Sequence, residues 1–320
     1  MHTRQLAEQT REAVRQWLGV APGLIGDSVF DVQPVTVGIV QSLAGNGERI
    51  RAVRDRFGLV LLDEAHHCPA ATFTDILQMF PAAFRYGLTA TPERRDGLGM
   101  FMKAVIGPIR HTITSGELRD AGVQVIPEIV WIRTDFYCPN DDWVSLIATL
   151  IKDERRNDLL IGVIKRLIDD GRRIIALSER VSHAETLAAA INDSRPGAAA
   201  VITGSMPKKK REAALERVKS GEARVMFSTK LADEGLDVPA LDALVLLTPS
   251  RSGGRTTQRA GRILRSLDGK RKPLIIDIVD ADVGLLRSQA RTRYFEAYRN
   301  LAPGRGLPEW LERQSRRSAA

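Results

Sequence analysis

Apolar residues along this chain fall into short runs that switch between a helical and an extended spacing. Leu6, Val14, Trp17 and Leu18 recur at helical spacing and Gly19 follows them, which predicts a helix closed by a C-terminal glycine. A glycine-rich stretch comes next, and residues 35–40 then read as a strand. Leu59, Val60, Leu61 and Leu62 form a short, β-compatible run of the kind that is buried in a parallel sheet. Residues 85–88 predict another strand. The pattern breaks at 135–142, where Tyr137, Cys138, Pro139 and Asn140 precede two aspartates, and a linker is expected there. Beyond it, strands are predicted at 174–177, 199–202, 224–227, 243–247 and 274–278, and helices at about 182–193, 208–219, 256–266 and 281–299. Alternating strands and helices predict an α/β fold with parallel sheets. The expected domains are 1–135 and 136–300, followed by a basic, disordered tail at 301–320.

Composition adds little to that picture but narrows the partners. The 320 residues are 43% hydrophobic and 27% charged, ordinary for a soluble protein with two domains. No apolar stretch is long enough to span a bilayer and the first residues carry no secretory signal, so a cytoplasmic protein without membrane contact is expected. Cys68 and Cys138 give neither a disulfide framework nor a zinc spacing, which suits a reducing compartment. A net charge of +8 favours a polyanionic partner such as nucleic acid. With four Trp and four Tyr there is no evident stacking platform, so phosphate contacts are the expected mode.

The chemistry concentrates in a few motifs. Asp63 and Glu64 end the apolar run 59–62. In an open parallel sheet, ligands sit at the carboxyl ends of strands, so this acidic pair is placed for work on a phosphate. One carboxylate can hold hydrated Mg²⁺, and the other can polarise a water for in-line attack. Downstream come Leu88-Thr89-Ala90-Thr91-Pro92, the segment Phe227-Ser228-Thr229 through Glu234-Gly235-Leu236-Asp237, and Gln258 to Arg265. His66-His67-Cys68 lacks the companion ligands of a metal site. Pro207-Lys208-Lys209-Lys210-Arg211 reads as the solvated, basic start of a helix. No G-x-x-x-x-G-K-[ST] loop occurs anywhere in the sequence.

In that order, these motifs resemble those of superfamily 2 helicases of the DEAH-box type. Leu62 to His66 is similar to motif II, Leu88 to Pro92 to motif III, and Met1 to Gln9 to motif Ia. Val40 to Leu43 is similar to the segment after motif Ia, and the last two stretches to motifs V and VI. Residues 90–97 and 177–184 resemble a bacterial and phage group related to the type III restriction motor subunit and the excision-repair helicases. The resemblance implies two tandem RecA-like domains and an ATP-dependent DNA helicase or translocase, a hydrolase that uses ATP and Mg²⁺. It implies backbone contacts to DNA without sequence specificity, and it favours a monomer.

Roles follow position by position from the resemblance. Asp63 would hold Mg²⁺, mainly through water, and Glu64 would activate the attacking water. His66 would meet Gln258, and Thr89 and Thr91 would couple nucleotide state to strand binding. Gly235 and Asp237 would contact the nucleotide, and Arg262 and Arg265 would act as arginine fingers. Thr3, Arg4, Gln41, Ser42, Thr203, Gly204 and Thr229 match positions that meet the sugar-phosphate backbone. Members of the family have a strand, a P-loop and a helix before motif Ia, whereas here motif Ia starts at residue 1. The expectation is therefore a first domain without that unit, arising where an internal GTG codon serves as a start, and an impaired ATPase. The alternative is a nucleic-acid-binding remnant that hydrolyses nothing.

Overall fold

The computed structural model describes residues 4–65, 71–89, 99–139, 142–229, 238–249 and 253–312. The chain divides into two compact units, Met1–Thr112 and Ile113–Ala320. No helix among the described residues is long and apolar enough to cross a membrane.

The first unit opens with the helix Arg4–Leu18, and Gly19 ends it at φ +66° while donating its amide to the Arg15 carbonyl. Three short strands follow: β1 (Gly23–Gly26), β2 (Val29–Asp31) and β3 (Thr36–Gly38), in the order β2-β1-β3. The β1–β2 hairpin was not expected from the glycine-rich stretch. Its two-residue turn is Asp27-Ser28, both at positive φ, a primed turn made without the usual Asn-Gly signal. Ala7 on the first helix packs with Val37 and Ile39, so one face of that helix covers this small sheet. The predicted strand at 35–40 is shorter than expected, because a helix starts at Val40.

Strands β4 (Leu59–Leu62) and β5 (Phe84–Gly87) pair in parallel as a separate two-stranded sheet. One face packs against the helices Ala71–Met79 and Gly99–Ile106 through Leu62, Leu77 and Met102. The other face leaves Leu59, Leu61, Phe84 and Tyr86 exposed.

The second unit is a six-stranded, all-parallel sheet. Its members are β6 (Glu128–Arg133), β7 (Ile174–Leu177), β8 (Ala199–Ile202), β9 (Val225–Ser228), β10 (Ala243–Leu246) and β11 (Leu274–Val279). They lie in the order β6-β11-β10-β7-β9-β8. Side chains alternate across the pleat into two cores. Ile175, Leu177, Leu244 and Leu246 meet the helices Lys208–Ser220 and Gly253–Leu264 on one face. Ile174, Ala176, Ala243 and Val245 meet the helices Glu154–Asp169 and Val181–Ser194 on the other. Continuous burial of both faces is why these strands read as uninterrupted apolar runs.

Three expectations change. The division between units lies at Thr112, ahead of the expected 135, because β6 joins the second sheet by pairing with β11 along six residues. The segment expected as a linker belongs to the second unit. Phe136 and Cys138 are buried with Leu146, Leu150 and Val283, and the helix Trp143–Leu150 is capped by Asp142. Part of the expected tail is also folded: Leu301, Ala302 and Leu311 are buried, and Glu309–Glu312 is helical.

Candidate functional site

The acidic pair sits where the sequence places it, directly past the carboxyl end of β4. Two backbone hydrogen bonds join that end to the end of β5. The Leu88 amide donates to the Leu62 carbonyl at 2.8 Å, and the Ala65 amide donates to the Leu88 carbonyl at 2.8 Å. Asp63 and Glu64 are thus held in the turn between two rungs, with Thr89 next to the second rung. Asp63 Oδ1 accepts the Glu64 amide at 3.0 Å. Glu64 has φ +52°, a left-handed conformation that costs an ordinary residue about 1–2 kcal/mol. Such strain persists where the surroundings over-determine it, as the two rungs do here. Gly87 makes the close approach possible: a Cβ there would lie 2.8 Å from the Ala65 Cβ and 2.9 Å from Ile106 Cδ1. His66 and Thr91 lie outside the described residues.

The backbone-contact candidates of the first unit divide. Arg4 donates to Asp27 at 2.8 Å and to Glu8 at 3.3 Å, so its charge is already matched by two carboxylates. Gln41 and Ser42 lie in the first turn of the helix Val40–Gly45, with Gln41 exposed. Thr3 lies outside the described residues.

In the second unit, Ile202 of β8 pairs with Ser228 of β9, so Thr203 and Thr229 are the next residues along two neighbouring strands. Ser228 Oγ donates to the Ile202 carbonyl at 2.8 Å and locks the two ends together. Thr203 is buried, with its Oγ1 3.3 Å from Ser205 Oγ, while Gly204 is exposed and Thr229 half-buried. Gly235 and Asp237 lie outside the described residues.

The helix Gly253–Leu264 turns Thr256, Ala260, Ile263 and Leu264 into the core. Gln258 and Arg262 are half-buried on its outward side, and Arg265 is exposed just past its end. A spacing of four residues brings Gln258 and Arg262 onto one stripe, whereas Arg265 is bridged to Gln124. Arg259, on the buried side, lies 3.3 Å from Glu179 in the loop after β7, and the Glu179 amide donates to Thr248 Oγ1 at 2.8 Å. Neither Arg259 nor Glu179 is given a role by the resemblance, although both lie within segments that carry it.

Two further polar groups brace these strand ends. Arg156 and Asp280 are both buried and form a two-point ion pair at 2.7 and 3.1 Å. Arg156 also donates to the Leu247 carbonyl at 2.7 Å, and Thr134 donates to Asp280 at 2.6 Å. His183 has Nε2 3.0 Å from Asn157 Oδ1 and Nδ1 3.0 Å from Ser178 Oγ. Asn157 Nδ2 donates to the Ile151 carbonyl, so its Oδ1 faces the ring as an acceptor. Nε2 therefore carries the proton, and Nδ1 accepts from the Ser178 hydroxyl. Burial, and then the neighbouring Arg156 charge, hold the His183 pKa down to about 4.

Two family models match the chain: "Type III restriction enzyme, res subunit" over residues 1–94 and "Helicase conserved C-terminal domain" over 156–266. The DNA 3'-5' translocase XPB2 of Sulfurisphaera tokodaii is 26% identical over 329 residues, covering 91% of this chain and 73% of that protein. The DNA 3'-5' helicase XPB of Mycobacterium tuberculosis is 26% identical over 250 residues, covering 73% of this chain and 43% of that protein. The chain spans 58%, 47% and 64% of matched relatives from a mimivirus, a Sulfolobus filamentous virus and phage T5. Among solved structures, S. cerevisiae Dbp5 bound to RNA and ADP BeF3 superposes with a TM-score of 0.65 at 17% identity, covering 91% of this chain and 73% of that one. That likeness speaks for the fold, two tandem RecA-like domains. The two family models, the relatives and the fold agree in what they liken this chain to: the superfamily 2 helicases.

Proposed function

We propose that this chain is the motor portion of an ATP-dependent translocase or helicase that moves on nucleic acid, with DNA the favoured track. The observation that carries the reading is the end of β4, where Asp63 and a strained Glu64 are clamped between backbone rungs to β5. An unstrained loop would serve a merely structural turn; a held carboxylate pair suits phosphoryl transfer.

Asp63 offers hard oxygen ligands and no soft ones, a donor set that fits Mg²⁺ held mainly through water. The bound ion would neutralise phosphate charge. Glu64 would orient and deprotonate the attacking water, and Arg262 and Arg265 would stabilise the transferring phosphoryl group, with Gln258 meeting His66. Gly235 and Asp237 would contact the nucleotide, and Thr89 and Thr91 would relay its state. Thr3, Gln41, Ser42, Thr203, Gly204 and Thr229 would grip the sugar-phosphate backbone without reading bases. Arg4 would join them only on releasing Asp27 and Glu8.

A polypeptide of these 320 residues contains no P-loop sequence, so it lacks its own grip on the β- and γ-phosphates. Little DNA-stimulated ATPase is therefore expected from it alone, which also keeps the second reading, a non-hydrolytic nucleic-acid binder. The test is steady-state ATPase with and without DNA, in parallel with binding of a labelled oligonucleotide. Salt-sensitive binding with negligible turnover is the expected result. Robust turnover that Glu64→Gln abolishes would refute the impaired ATPase; turnover that Glu64→Gln leaves intact would refute the assignment of Glu64.

A further inference from the structure

The parallel register aligns the amino ends of four adjacent strands in the second unit. Leu274 of β11 pairs with Ala243 of β10, Ala243 with Ile174 of β7, and Ile174 with Val225 of β9. The loops entering these strands therefore form one rim, about 14 Å long at the usual strand spacing. It lies one strand length, about 13 Å, from the carboxyl ends that carry Thr203 and Thr229.

Basic residues crowd that rim, and their partners are unusual. Arg172 donates to the Lys272 carbonyl at 2.6 Å, and Arg173 to the Lys219 carbonyl at 3.2 Å. Arg271 donates to the Asp170 carbonyl, and Lys270 to the Arg265 carbonyl at 3.1 Å. Backbone carbonyls orient these cations without cancelling their charge, and the buried carboxylate among them, Asp242, is shared by Arg172, Arg271 and Lys270. Of the carboxylates nearby, two are engaged elsewhere, while Glu128 stands half-buried at the amino end of the neighbouring β6. Glu222 pairs with Arg217 at 2.6 Å and Asp169 with Arg195 at 2.7 Å. Asp242 is buried, accepts the Arg173 amide and lies 3.9 Å from Arg172; Asp170 and Asp268 are exposed. Lys219, Arg224, Arg271 and Lys272 face solvent. Burial pulls the Lys270 ammonium down to about 8; Asp242 opposes the shift and Arg265 adds to it.

We propose that this rim is a second contact surface for the phosphate backbone of nucleic acid, made by Arg172, Arg173, Lys219, Arg224, Arg271 and Lys272. Duplex DNA carries one charge per about 1.7 Å of axis with both strands counted, so the length beside a rim of about 14 Å carries roughly eight phosphate charges, about four on each strand. Cations along such a rim meet phosphate oxygens, contacts that carry no sequence information directly. The surface goes beyond the proposed motor function, which uses the opposite edge of the same sheet.

The test is fluorescence anisotropy of a labelled duplex over about 50 to 200 mM salt. The triple variant Lys219→Gln/Arg224→Gln/Lys272→Gln should bind more than about 10-fold more weakly at 0.1 M salt, with the log–log salt slope flatter by about 2 to 3. Lys219→Arg/Arg224→Lys/Lys272→Arg should restore both. An equal change in net charge elsewhere, Lys152→Gln/Arg155→Gln/Arg166→Gln, should leave affinity near wild type. Equal losses in the two glutamine triples, or no loss in the rim triple, would overturn the surface. A loss seen only in Thr203→Ala/Thr229→Ala would overturn the rim while sparing the strand-end reading, and no binding by the wild type would overturn both.

Discussion

The buried His183 makes the second unit sensitive to mild acid. Its folded pKa of about 4 lies below the ordinary 6.5, because the charged ring is penalised by burial and by Arg156. Between those values the unfolded chain binds the proton and the folded one does not, so stability falls as pH drops. The contribution is fully present above about pH 6.5, falls by about 2 kcal/mol at pH 5, and falls by about 3 kcal/mol at pH 4. In His183→Gln that dependence disappears, while losing the Ser178 and Asn157 bonds costs about 1–3 kcal/mol at neutral pH. The stability gap between variant and wild type should therefore close by about 2 kcal/mol between neutral pH and about pH 5. Urea unfolding followed by tryptophan fluorescence reads the right part of the molecule, since Trp131, Trp143 and Trp310 lie in the second unit. Carboxylates titrate alike in both proteins and cancel in the difference. Parallel pH profiles for variant and wild type would refute the neutral, buried histidine.

Three other outcomes are expected. Asp280→Asn leaves the buried Arg156 charge unmatched and should cost about 3–5 kcal/mol in urea unfolding, most of it recovered when Arg156→Met is added. Gly87→Ala forces a methyl group against Ala65 and Ile106, and should lower the first unit's melting temperature more than Gly45→Ala, where the added Cβ meets nothing within 4 Å. Glu64→Gly relieves the left-handed strain and should stabilise the first unit by about 0.5–1 kcal/mol after the entropic cost of glycine. A destabilised Glu64→Gly in a thermal melt would show that the Glu64 side chain outweighs its backbone cost.

Much of the second unit was legible because its five predicted strands are buried on both faces, which makes each an apolar run between turn residues. The sixth strand escaped: Glu128 to Arg133 sits at the sheet edge, and its partner lies nearly 150 residues later, beyond any local signal. Three helices of this unit were passed over although their caps are written in the sequence; Thr114 accepts the Glu117 amide ahead of Ser115–Asp120, Asp142 the Ser145 amide and Asp153 the Arg156 amide. The β1–β2 hairpin was missed because Asp27-Ser28 replaces the residues that usually mark such a turn. At the site, the position of Asp63 and Glu64 past an apolar strand was readable from order alone. The bracing by Arg156 was not, since Asp280 is 124 residues away and nothing local distinguishes either from a surface charge.

That bracing has a consequence for how the second sheet comes apart. One guanidinium binds the end of a central strand through Leu247 and the end of β11 through Asp280, and Asp280 in turn takes the hydroxyl of Thr134 beyond the outermost strand β6. Parting β11 from the middle of the sheet would strand a buried charge in oil, whereas peeling β6 away would take the Thr134 hydroxyl from a buried carboxylate. Amide exchange should accordingly release β11 and β10 as a single block, with β6 held to it by six ladder pairs and the Thr134 hydroxyl, and a border tied in this way gives neighbouring molecules little loose ribbon to zip onto.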